Sequence, residues 1–198
     1  MLSAMPKMRN RFRTIGAAVI FGAVLTMSAA PAAQGAGEAF TATAAVKTAT
    51  GGGAQANVTI TLDRAMPQKE AETLTAAFKA GGAAAFRKAL TGVPPTGSVQ
   101  IGSGPSTPTR LTIERPTPEG RLLMIVTDRP LAFLGAGLPG AKAKEGYDFA
   151  VIEMVIDAKG NGSGTIAPAA KLKLNAGALV VEDYAAEVVQ LTAVKKTK

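Results

Sequence analysis

The 198-residue sequence predicts an α+β fold, predominantly antiparallel β. The expected form is a sandwich or partly open barrel of about seven to nine strands, with a short helical pair inserted after the second strand. Three observations carry that expectation. Residues 57–63 alternate strictly, with Val58, Ile60 and Leu62 on one face and Asn57, Thr59, Thr61 and Asp63 on the other, the period of a half-buried strand. After Pro67 the spacing becomes helical: Leu74 and Phe78, then Phe86 and Leu90, stand at i, i+4, neighbours on one helix face. From Phe149 onward the chain returns to strand-like runs broken by Gly-rich turns. Strands, then a brief helical section, then strands again argue against repeated βαβ units.

The first 33 residues form no part of that fold. Lys7, Arg9, Arg11 and Arg13 make a positive segment with no acid, and Ile15 to Met27 is apolar. That run is shorter than a spanning helix, and Ala30-Pro31-Ala32 supplies the small residues a signal peptidase requires. The expectation is a secretory signal peptide over 1–33, cleaved near Ala32/Ala33, and one globular β-rich domain over 34–198 with flexible ends. The product is periplasmic or secreted, with no transmembrane span in the mature chain. No Cys stands near the cleavage site for lipidation, and Phe12 separates Arg11 from Arg13, so no twin-Arg pair occurs. Taking these four bases from the total of 22 leaves 18 against 14 acids, so the mature chain is only mildly basic. That gives no support for specific nucleic-acid binding.

Along the mature chain, residues 40–48 read as a strand that pairs with 57–63 across a Gly-rich turn at 49–53. Two helices are expected, over 67–80 and 83–91. Glu70 and Glu72 lie near the first start, Gly81-Gly82 separates the two, and Gly92 follows the second. Short strands around Val99–Ile101 and 110–114 follow, and 115–120 reads as a turn. The Gly102-Ser-Gly between the two strands is no phosphate loop, because Pro105 and Pro108 intervene and no helix follows. The most apolar part of the mature chain is 121–138, whose run Leu122–Val126 predicts a strand buried on both faces, or a middle strand under the helices, that Pro130 ends or offsets. Residues 149–157, a return beginning at 163–166, a further strand around Leu172 and Leu174, 179–181 and 188–194 complete the strands. The C-terminal lysines read as a solvated tail.

The chain has no Cys, no His and no Trp. This excludes disulfides, thiolate or imidazole catalysis and Cys- or His-ligated metal. No cofactor and no metal site is expected. Residues 157–164 resemble a calcium loop only in part: Lys159 stands where a ligand oxygen belongs and Pro168 where the closing Glu belongs. A hairpin turn is the better reading.

The weak catalytic candidates are therefore carboxylates. Asp128 ends a buried strand, where burial could raise its pKa. The plainer reading has it capping a turn while Arg129 pairs elsewhere. Glu153 sits on an otherwise apolar strand face and needs a partner, with Arg129 or Arg121 as candidates. Contact candidates are Arg129, Phe133, Leu134 and Leu138 in and beyond the central strand, and the acid-flanked Tyr147 and Tyr184. The expected function is that of an exported, non-catalytic protein binding an envelope partner or a small apolar ligand. The alternative is a hydrolase that divides acid and base roles between Asp128 and Glu153.

Overall fold

The computed structural model describes residues 37–47, 53–133, 145–184 and 188–198. The leader expected over 1–33, and with it the cleavage site, lies outside these residues, as do Leu134 and Leu138.

Among the described residues nine strands and one helix follow in order: β1 (Glu38–Lys47), β2 (Gly53–Leu62), α1 (Gln68–Gly92), β3 (Gly97–Ile101), β4 (Thr107–Thr117), β5 (Gly120–Thr127), β6 (Phe149–Asp157), β7 (Asn161–Asn175), β8 (Ala178–Tyr184) and β9 (Val189–Lys196). Every pairing is antiparallel. Strands β1 to β6 pair in sequence, β6 pairs with β7, β7 with β9, and β9 with β1. Eight strands thus close into a barrel. Of the two expected forms this is the barrel, here closed by the β1–β9 and β6–β7 pairings, and the described residues show no sandwich. Strand β8 stands outside the ring and pairs with the second half of β7. The 15-residue β7 serves β6 and β9 with its first half and β8 with its second.

Alternation divides each barrel strand between two cores. Inside lie Phe40, Ile60, Val99, Leu123, Ile125, Ile152, Met154 and Leu191, each at most 1% exposed. An eight-stranded barrel is just wide enough for such side chains to fill. Burial of a side chain of this size is worth about 1.5–3 kcal/mol. The outward rows on one side are polar: Thr41 and Thr43, Asn57, Thr59 and Thr61, Ser98 and Gln100, Gln190 and Thr192. A membrane barrel has the reverse arrangement, apolar outside. Among the described residues no helix is long and apolar enough to cross a membrane.

The second core lies outside the barrel wall. Leu111, Met124, Val126, Phe149 and Val151 face outward and are covered by Leu74, Phe86 and Leu90 of α1, with Leu172 and Leu179 of the β7–β8 ribbon. β5 is accordingly buried on both faces at 123–127. In β4 the alternation is as expected, but the apolar residues Leu111 and Ile113 face the helix, while Thr112 and Glu114 turn inward opposite Ile125 and Leu123. A bulge between Thr109 and Leu111 sets this phase.

The expected helical pair is one helix with a break at Gly81–Gly82. Gly82 has φ +64°, a left-handed conformation that glycine adopts without strain. Phe78 from the first half meets Phe86 from the second edge-on at 5.3 Å, and Phe86 meets Phe149 of β6 at 5.4 Å. This aromatic chain fastens both halves to the barrel wall. Arg64 joins the two helix ends. Its guanidinium grips both oxygens of Glu70, at 2.7 and 3.0 Å, and donates to the carbonyls of Pro94 and Pro95.

The hairpin reading of residues 157–164 fits the structure. The Asp157 carboxylate accepts the backbone N–H groups of Lys159 and Asn161, both at 2.8 Å, and Gly160 takes φ +82°. The C-terminal lysines are not a free tail: Lys196 lies in β9 and its ammonium bonds Glu38 at 2.6 Å.

Candidate functional site

Beside the pairs Arg64–Glu70, Arg87–Asp148 and Lys171–Glu182, the charged side chains of interest form three groups. The first lies within one end of the barrel. Arg121, turned inward on β5, donates to Glu38 at 2.6 Å and Glu114 at 3.2 Å, and stands 5.9 Å from the centre of the Phe40 ring. Lys196 holds the other oxygen of Glu38. Burial acts to raise the Glu38 pKa, but the bonds from Lys196 and Arg121 overcome it and hold the carboxyl below its ordinary value. The guanidinium of Arg121 is held charged in turn: burial opposes this, and the bond to Glu38 with the nearby Glu114 outweighs it.

The second group surrounds Asp128, just beyond β5. Its side chain is 2% exposed, with Arg110 at 3.0 Å on one oxygen and Arg129 at 2.8 Å on the other. Arg129 therefore pairs with its own neighbour. The strand has ended at Thr127, so strand alternation no longer separates the two side chains. The bulge that turns Arg110 outward supplies the second cation. Burial pushes the Asp128 pKa up, yet the hydrogen bonds from Arg129 and Arg110 bring it below the ordinary value. A carboxylate so held is a poor proton carrier near neutral pH.

The third group lies on the outside, between the first half of α1, the end of β4 and the β7–β8 turn. An open groove of about 550 Å³ is lined there by Gln68, Glu72, Thr75, Lys79, Arg115 and Gly177, among others. Arg115 projects outward beside Leu122 of β5. Near it is Glu153, outward on β6 opposite Met124 and Thr165. Although Glu153 as a residue is exposed, neighbours crowd its carboxyl; desolvation raises its pKa, and the charge of Arg115 offsets this only partly. Its cationic neighbour is thus Arg115 rather than Arg129 or Arg121. Tyr184, the large apolar side chain exposed at 42% on β8, has its own pKa raised by burial and further by Glu153.

The sequence candidates are therefore dispersed. Glu153 and Tyr184 share one neighbourhood; Asp128 and Arg129 share another. The β5–β6 register sets Met124 opposite Glu153. Asp128 is four residues beyond Met124, about 13 Å of strand. Asp128 is held by Arg110 and Arg129 while Glu153 stands by Arg115, so the two carboxyls have different cationic neighbours. Tyr147 is buried and its hydroxyl bonds Asp183. Phe133 is half-buried against the barrel core, so it belongs to the scaffold. Arg115 and Lys79 were not candidates from sequence. The signal for Arg115 is its place one position past the alternating run 110–114, hidden by the prolines at 116 and 118.

Compared with family models, curated proteins and solved structures, the chain matches none.

Proposed function

We propose that this chain is an exported, non-catalytic binding protein that engages an envelope partner through the groove beside α1. The observation that carries this reading is the contrast in side-chain satisfaction. The barrel interior is occupied by large buried side chains, whereas the groove presents cationic side chains without bonded partners among the described residues. The polar lining favours a polar partner over a small apolar ligand. The N-terminal sequence supports export; N-terminal sequencing of the mature protein is expected to begin at Ala33 or Gln34.

A photo-crosslinking side chain at Thr75, in the groove, tests the binding reading against the same group at Thr59, on the polar barrel wall. In intact envelope, Thr75 is expected to give a discrete adduct that excess unlabelled protein competes away, and Thr59 none. Equal labelling from both positions, or no adduct from Thr75, overturns the reading.

A further inference from the structure

We propose that the groove seats one oxyanion, a carboxylate or phosphate group of its ligand, between Arg115 and Lys79. The inference rests on the groove being the binding surface and names what it recognises. Among the described arginines, Arg64, Arg87, Arg110, Arg121 and Arg129 each hold a carboxylate within 3.0 Å. Arg115 alone holds none, and it lines the groove. A guanidinium offers a planar fork of donors that matches a carboxylate or phosphate in two-pronged fashion.

Lys79 supplies the second charge from the helix. Its ammonium lies 4.0 Å from where a Cβ on Gly177 would stand. Gly177 has φ +82° in the β7–β8 turn, a conformation that favours glycine, and the turn lies against Lys79. The groove volume of about 550 Å³ suits a small ligand or one end of a larger one.

Two carboxylates offset these charges. Glu72 lines the groove and accepts the Gln68 amide at 2.7 Å, while Glu153 acts on Arg115 without bonding it. With these carboxylates nearby the groove has no excess of positive charge to attract a polyanion, and recognition of an anionic group rests on the donor fork of Arg115.

The test is an NMR titration of the mature protein with inorganic phosphate and, separately, with acetate. Saturable shifts are expected at the amides of Thr75, Lys79 and Gly177. Arg115→Gln should weaken binding about tenfold, the scale of one charge-assisted contact. Glu153→Gln should tighten it, because the competing carboxylate is gone. A merely structural Arg115 would not produce these opposite signs. Saturation by phosphate alone assigns a phosphate carrier; saturation by acetate, a carboxylate carrier. No saturable shift with either probe, or unchanged affinity in Arg115→Gln, overturns the proposal. If Thr75 crosslinking then persists, the partner reading stands and only the oxyanion seat falls.

Discussion

Arg115 and Arg121 lie on the two arms of one hairpin, at adjacent rungs of the β4–β5 ladder, where Arg115 stands opposite Leu122 and Pro116 opposite Arg121. They point to opposite faces. Arg121 enters the barrel, where burial would make an unpaired charge very costly. It is met by Glu38, Glu114 and the ring of Phe40. Arg115 leaves the barrel and meets an open groove and the unbonded charge of Glu153. One rung of ladder thus separates a charge paired within the fold from one that bonds no carboxylate among the described residues.

Among the carboxylates the largest expected effect belongs to the barrel end. Glu38→Gln removes the carboxylate from two bonds of 2.6 Å and should cost about 2 kcal/mol in urea unfolding. Next comes acid. Glu38 and Asp128 both have folded pKa values below their ordinary 4.5 and 3.8. Their contribution is complete above those values and is lost as pH falls through the lowered ones. Stability should therefore decline below about pH 4.5, and the Glu38 share of that decline should vanish in Glu38→Gln. The smallest effect is at the groove, with the opposite sign. The raised pKa of Glu153 means that its ionised form destabilises the fold above 4.5, a burden relieved as pH falls. Glu153→Gln should stabilise the protein at pH 7 by a few tenths of a kcal/mol after solvent screening, with no gain at pH 3.

Much of the strand and helix pattern was legible because it is local. Val58, Ile60 and Leu62 give the inward row of β2, the run 122–126 gives a strand buried on both faces, and Gly81–Gly82 marks the helix break. Closure was not legible, because it depends on pairings between distant segments, β1 with β9 and β7 with β9. Alternation reports a buried face and does not say whether a second sheet or the same sheet covers it. The direction of a face was similarly hidden: Leu111 and Ile113 pack under α1, while the inward positions hold Thr112 and Glu114. Glu153 was visible as a charge among Phe149, Val151 and Val155. Arg115 was read into a turn because Pro116 follows. Pro116 is tolerated in β4 because β3 pairs only with residues 107–109, leaving that edge without a ladder to interrupt.

The most direct test of the account is urea unfolding of Arg121→Gln and Arg115→Gln in parallel at pH 7. Arg121→Gln strands Glu114 and half of the Glu38 interaction and should lose about 3 kcal/mol. Arg115→Gln should stay within about 0.5 kcal/mol of the parent protein, as expected for a side chain without bonded partners. Equal losses in the two variants, or a larger loss from Arg115→Gln, would contradict the division between charges that hold the barrel and charges held in reserve outside it.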